Sequence, residues 1–329
     1  MDAIGERNSE SDRTLVGQSP EMVALRETIA LAARSRENVL IVGETGVGKE
    51  LVAHAIHTLA ALPRGPFVAH NCATIPLDLF DTTFFGHARG AFTSAHAEHE
   101  GLLVQADGGI LFLDELECLS PFQQAKLLRV IDDGAVKAVG SNRERRVSAR
   151  FVAATNRTPE ELMNEGLLRP DFFYRIRGFM IAVPPLRKRS ADIPELARWF
   201  LRDSNQALTS EATQRLIRHS WPGNVRELKN VIRTAMQCAT GTLITERDID
   251  LPVSGSLNGT AIFDRCRESR SSGFHPLVSL HNLERQAILQ ALEIGAGNCT
   301  RAAELLGIHR TTLQRKLRSF KRGSSANFR

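Results

Sequence analysis

Three places in the chain gather residue types that handle phosphate. The first is Gly43-Glu44-Thr45-Gly46-Val47-Gly48-Lys49-Glu50, directly after the apolar, β-branched run from Val39 to Val42. Gly43, Gly46 and Gly48 let the backbone curl so that successive N–H groups face one centre. A helix starting near Lys49 adds its positive N-terminus, and the lysine adds a full charge. Such a loop cradles a triphosphate, although the usual pattern has Ser or Thr after the lysine to touch magnesium, and this chain has Glu50. The plainer alternative is a glycine-rich strand–helix turn. The second place is Asp114-Glu115, closing the apolar run from Gly109 to Leu113. Phosphate hydrolysis needs a metal-holding carboxylate and a group that acts on water, roles that fit Asp114 and Glu115. The same pair could serve only as a helix N-cap. The third is Asn156, after the run from Phe151 to Thr155: its amide could reach the γ-phosphate or the water, or merely close a turn. Arg169 and Arg175 flank Pro170-Asp171-Phe172-Phe173-Tyr174 and read either as arginine fingers reaching a neighbour's nucleotide or as surface ion-pair partners.

These groups need a frame. Short apolar runs at 39–42, 67–70, 109–113, 151–154 and 179–183 alternate with helical segments such as 121–133. That pattern predicts a parallel sheet covered on both faces. The glycine loop and the acidic pair then share the carboxyl edge, where open α/β sheets bind ligands. Residues 86–95 interrupt a crossover with a polar, glycine-rich insertion of no regular period, in which Phe92 is either an exposed partner contact or folded down on the sheet. Pro184-Pro185 ends the sheet, and 193–250 reads as all helical with a break at Trp221-Pro222-Gly223-Asn224. A Ser/Gly-rich linker follows. From about Leu280 to Lys321, helical stretches joined by Gly307-Ile308 read as a helix-turn-helix or as the end of an ordinary three-helix bundle.

Apolar residues make up 42% and charged residues 24% of the 329, ordinary for a globular protein. No apolar run approaches the ~18 residues of a membrane span, and the polar start lacks the core of a signal peptide. The expected location is therefore cytoplasmic, without a membrane partner. The five cysteines form no C-x-x-C pair and read as inert thiols. His54 and His57, one turn apart, read as packing histidines because a metal needs more ligands. Residues 281–329 carry nine Lys/Arg against three Asp/Glu, or +6, so the rest of the +5 chain sums to 5 − 6 = −1. The basic end points to nucleic acid.

On these motifs the sequence, from Leu15 to Phe320, resembles the bacterial enhancer-binding proteins, AAA+ ATPases that activate transcription by sigma-54 RNA polymerase. Residues 43–50 resemble the family's Walker A, in which glutamate at the last position is usual, and 108–115 its Walker B. The resemblance implies ATP and Mg2+ as cofactors, with Asp114 for the metal and Glu115 for water. Asn71 matches the asparagine that holds the Walker B glutamate, Asn156 sensor I, Arg169 and Arg175 the trans-acting arginines, and Arg226 sensor II. Gly90-Ala91-Phe92-Thr93-Ser94-Ala95 is similar to the loop that contacts sigma-54; Ser94 replaces its second glycine, and Thr83 and Ala88 stand at usually acidic positions before it. Residues 297–313 are similar to a Fis-type helix-turn-helix, so His309, Arg310, Thr311, Thr312, Gln314, Arg315 and Arg318 are expected to meet enhancer DNA. The implied fold is an AAA+ doubly wound five-stranded parallel sheet with a helical lid, plus a C-terminal all-α helix-turn-helix domain. The expected boundaries are a disordered tail at 1–14, the α/β ATPase subdomain at 15–185, the lid at 186–251, a linker at 252–279, the DNA-binding domain at 280–322 and a tail at 323–329. A homo-oligomeric ring, expected as a hexamer, would remodel the polymerase closed complex. The absence of a receiver domain before the ATPase implies control by a separate inhibitor, a co-activator or expression level. The rival expectation is a DNA-binding regulator with a relic AAA+ domain, acting by occupancy alone.

Overall fold

The computed structural model describes residues 14–60, 65–92, 95, 97–251 and 312–313. The chain divides into two compact units, Met1–Ile262 and Phe263–Arg329. Of the second, Thr312 and Leu313 are helical and Leu313 is buried. The expectations for residues 1–13, for the linker and for His309, Arg310, Thr311, Gln314, Arg315 and Arg318 lie outside the described residues, as do Thr93 and Ser94.

In the first unit, helix α1 (Pro20–Arg34) opens on a Ser19 cap whose hydroxyl accepts from the Met22 N–H, with proline in the first turn. Strand β1 (Val39–Val42), α2 (Lys49–Leu59) and β2 (Phe67–Asn71) follow. Next come α3 (Phe80–Phe85), β3 (Gly86–His87), β4 (His99–Glu100), α4 (Leu102–Gln105) and β5 (Ile110–Asp114). Helix α5 (Pro121–Asp133) starts with a capping box from Ser120 and Gln123 and ends on Gly134 in the left-handed region. It leads through β6 (Ala135–Lys137) and β7 (Glu144–Arg146) to β8 (Arg150–Thr155), α6 (Pro159–Asn164), α7 (Pro170–Ile176) and β9 (Phe179–Ala182). The helical subdomain holds α8 (Ile193–Leu201), β10 (Ala207–Leu208), α9 (Ser210–Arg218), α10 (Asn224–Cys238) and β11 (Leu243–Ile244).

The main sheet runs β2-β5-β8-β1-β9, and every neighbouring pair is parallel. Strand alternation divides its side chains between two cores. Leu40, Leu111, Leu113, Phe151 and Ala153 pack with α5 and α7 on one face. Val39, Ile41, Ile110, Phe112, Val152 and Ala154 pack with α1 and α2 on the other. A sheet buried on both faces is what continuous apolar strands require. The helical subdomain has its own core around Trp221, Leu228 and Ile232.

Three features depart from the sequence reading. Residues 193–250 are not all helical, since β10 and β11 form a short parallel pair. The insertion is bracketed by the antiparallel pair β3–β4, and β6–β7 forms a further hairpin. These strands are two or three residues long, too short for a period of two to register, and β7 is wholly charged and exposed. Among the described residues Cys72 and Cys118 are free thiols. Among the described residues no helix is long and apolar enough to cross a membrane.

Candidate active site

The sheet brings the phosphate-handling residues to one edge. Gly43 continues β1 far enough to donate its N–H to the Thr155 carbonyl at 3.2 Å. The loop then curls through Gly46 and Gly48, whose φ values of +80° and +102° are left-handed. Gly46 must also be small, because a Cβ there would lie 2.4 Å from the Gly223 carbonyl oxygen. Lys49 opens α2, and its Nζ donates to the Gly43 carbonyl at 2.7 Å and the Glu44 carbonyl at 3.2 Å. Burial pulls its pKa below the ordinary lysine value, opposed by the carboxylates of Asp114, Glu117 and Glu115. That opposition places the acidic pair within electrostatic reach of the lysine.

Asp114 ends β5, paired in register with Asn71 at the end of β2. Its Oδ1 accepts from the Glu115 N–H at 3.0 Å. Glu115 has φ +54°, a left-handed conformation rare outside glycine and frequent at functional turns. Asp114, Glu115 and Asn156 line one cavity of about 300 Å³ together with Gly46, Val47, Gly48, Lys49, Glu50, Thr45 and Arg226. The Arg226 backbone N–H donates to the Gly46 carbonyl at 3.2 Å, so α10 starts against the loop. The cavity is also lined by Leu15, Val16, Leu196, Trp199, Phe200 and Val225, with Arg189 and Lys229. These residues supply an apolar slot of the kind that takes a flat ring beside a polar phosphate end. Sequence reasoning missed them; the only signal was the apolar period of α8 and the Leu15-Val16 run.

Other expected residues stand apart from the cavity. Asn71 Oδ1 accepts from the Ala73 N–H at 2.8 Å, and no hydrogen bond joins Asn71 to Glu115 among the described residues. Arg169 clasps Asp171, with Nη2–Oδ2 at 2.6 Å, and Arg175 Nε lies 2.6 Å from Asp132 Oδ1. Both arginines are exposed and neither lines the cavity. Glu44 stands behind the loop, paired with Arg187 and Asn224. His54 and His57 pack on the Phe67 ring at 4.0 and 5.4 Å, as packing histidines should.

At the insertion, Ala88 N donates to Val139 O and Val139 N to Gly86 O, both at 2.9 Å, tying the loop to the stretch after β6. Phe92 is 42% exposed and packs against the His87 ring, tilted at 55° with centroids 4.9 Å apart. It is therefore neither free of the protein nor folded onto the sheet.

This sheet order, with a glycine loop after its inner strand and a helical subdomain over the loop, defines an AAA+ module. The chain belongs to the sigma-54 interaction domain family, whose model matches residues 15–182. An AAA+ ATPase lid domain matches 187–260 and a Fis-family bacterial regulatory protein domain 279–320, giving the chain its C-terminal helix-turn-helix. It is 45% identical over 310 residues to the transcriptional regulatory protein ZraR of Klebsiella oxytoca, covering 92% of this chain and 68% of that one. It is 37% identical over 343 residues to the DNA-binding transcriptional regulator NtrC of Rhizobium meliloti, covering 95% and 71%. Crystal structures of NtrX from Brucella abortus with ADP and with ATP superpose with a TM-score of 0.68 at 30% identity, covering 96% of this chain and 72% of that one.

Proposed function

We propose that this protein is an ATP-hydrolysing activator of sigma-54 RNA polymerase. The observation that carries the reading is the single cavity in which Lys49, Asp114, Glu115, Asn156 and Arg226 meet below a glycine loop. The loop N–H groups and Lys49 bind the phosphates, and the apolar slot takes the base. The nucleotide complexes of NtrX support the same use of the cavity here. The donor set fits Mg2+, which Asp114 would hold through a hard carboxylate oxygen. Bound there, the ion would neutralise phosphate charge as the anhydride breaks. Glu115 polarises the attacking water, Asn156 orients it, and Arg226 reads the phosphate from the lid. Arg169 and Arg175 do not line their own cavity and sit in exposed ion pairs that cost little to break. This favours action on a neighbour's γ-phosphate in a ring. The ring presses the Phe92 loop against sigma-54, while residues 309–318 hold enhancer DNA.

The test pairs ATP turnover with open-complex formation on one sigma-54 template. Glu115→Gln should keep ATP binding and lose turnover by ~10²–10⁴-fold, and Lys49→Ala should lose binding itself. Normal hydrolysis in both variants would end the ATPase assignment. Mixing Arg175→Ala with Lys49→Ala protein should restore part of the turnover if the arginine acts in trans. Phe92→Ala should retain turnover and lose open complexes; transcription that survives it would leave action by occupancy. Arg315→Ala should flatten the salt dependence of DNA binding by about one unit of slope.

A further inference from the structure

Each P-loop carbonyl from Gly43 to Val47 has a donor. Lys49 Nζ serves Gly43 and Glu44. Asn224 Nδ2 donates to the Thr45 carbonyl at 3.1 Å, the Arg226 N–H to Gly46 at 3.2 Å, and Arg189 Nη2 to Val47 at 3.1 Å. Carbonyls drawn to outside donors leave the loop N–H groups to face an anion. When a phosphate takes Lys49, the Gly43 and Glu44 carbonyls lose that partner. The other three keep theirs, and all three of those donors come from beyond the sheet.

Asn224 has the greatest reach of them. It is fully buried with φ +54°, a conformation asparagine tolerates better than most residues. Its Oδ1 accepts from the Leu186 N–H at 2.8 Å, where the chain leaves the sheet. Its Nδ2 donates to Glu44 Oε2 as well as to Thr45, both at 3.1 Å. Arg187 holds the same Glu44 carboxylate through Nη1 at 2.7 Å and through Nη2. A single amide thus touches the P-loop, the start of α10 and the segment between sheet and lid. Only a side chain with both donor and acceptor can do so.

We infer that Asn224, with Glu44 and Arg187, is a latch by which the lid holds the P-loop in its anion-binding curl. Asn224 is a positioning residue, acting on nucleotide through the loop. The inference rests on the nucleotide reading above. It predicts that phosphate affinity depends on a group that never touches phosphate.

Asn224→Asp tests it with little change of shape. The variant keeps the acceptor for Leu186, but turns a carboxylate oxygen toward the Glu44 carboxylate and the Thr45 carbonyl. ATP and ADP titrations of the full chain by calorimetry should give a Kd ~10–100-fold weaker than wild type near pH 8. Facing Glu44, the introduced carboxyl has a raised pKa, so lowering the pH to about 5.5 should restore a donor and narrow the ratio to wild type. Adding Glu44→Gln should relieve part of the loss. A residue that only stabilises the fold would lower the melting temperature without this pH-dependent recovery. A Kd within about twofold of wild type near pH 8, or a ratio flat with pH, overturns the latch. Should Asn224→Asp not fold, Arg187→Met carries the test: its half-exposed side chain predicts a Kd weaker by about threefold, and an unchanged Kd overturns the latch. Wild-type protein that binds neither nucleotide overturns the nucleotide reading itself, whereas equal binding by wild type and variants overturns the latch alone.

Discussion

Two glycine-rich loops of this protein share a backbone conformation and differ in everything around it. Gly46 in the P-loop and Gly90 in the insertion have φ values of +80° and +81°. A Cβ on Gly46 would strike the Gly223 carbonyl oxygen and crowd Arg226; one on Gly90 would meet nothing within 4 Å. The P-loop has donors on its carbonyls and Val47 buried beneath it. The insertion is closed mainly by its own turns, Gly90 N to Ala95 O and Ala95 N to Phe92 O, and is tied at its neck to Val139. One loop is fixed from all sides, as a preorganised charge site must be. The other is tied to Val139 through Gly86 and Ala88 and leaves Phe92 42% exposed, as suits a segment presented to a partner.

The largest effect should fall on the buried anchor of the nucleotide side. The Asp192 carboxylate is 2% exposed and accepts from the N–H groups of Gln18 and Ser19, both at 2.8 Å, and from the Ser19 hydroxyl at 2.6 Å. It also offsets the buried charge of Arg189, whose pKa burial lowers and Asp192 raises. Asp192→Ala should cost about 3–5 kcal/mol in urea unfolding, because a buried cation and three donors lose their acceptor. A cost below about 1 kcal/mol would mean that this side is not held as described.

The glycine pair gives the most direct contrast. Gly46→Ala adds left-handed strain to a backbone collision and should cost about 2–5 kcal/mol, with loss of ATP affinity. Gly90→Ala carries strain alone, about 1–2 kcal/mol, with ATP affinity unchanged. Equal costs would erase the distinction between the loops. Phe92→Ala should change stability by less than about 1 kcal/mol, since its ring is 42% exposed and packs mainly on His87; a buried phenylalanine costs about 3–5. A loss of the larger size would show the insertion to be core.

The smallest effect concerns pH. The Arg187 hydrogen bond, aided by Asn224 and the charges of Arg187 and Lys188 against opposing burial, lowers the Glu44 pKa from 4.5 to about 2. A depressed carboxylate pKa adds stability that is fully present above about 4.5 and disappears as pH falls through about 2. The stability gap between wild type and Arg187→Met should therefore stay constant from neutral pH down to about 5 and close below it. Because Glu44 is 40% exposed, solvent keeps the gap small. A gap that opens on acidification would assign the Arg187 contact to another partner.

Much of the architecture was legible in the sequence because it is written over short distances. Backbone geometry alternates side chains every residue in a strand, so Val39–Val42, Ile110–Asp114 and Arg150–Thr155 announce a sheet buried on both faces. The glycine spacing before Lys49 and the carboxylates after Leu113 are local for the same reason, and the strands deliver both to one edge. Tertiary structure alone decided which groups stand behind them. Asn224 and Glu44 are 180 residues apart, Arg189 and Val47 142, and Ser19 and Asp192 173. No periodicity spans such distances, and a buried asparagine or arginine reads locally as a turn or a surface residue. Arg169 and Arg175 mark the same limit from the other direction: the sequence left them open between arginine fingers and surface ion pairs, and one chain pairs them with Asp171 and Asp132 without showing a neighbour. Which groups flank a reactive centre depends on how two subdomains close on each other, and that is settled by packing between remote segments.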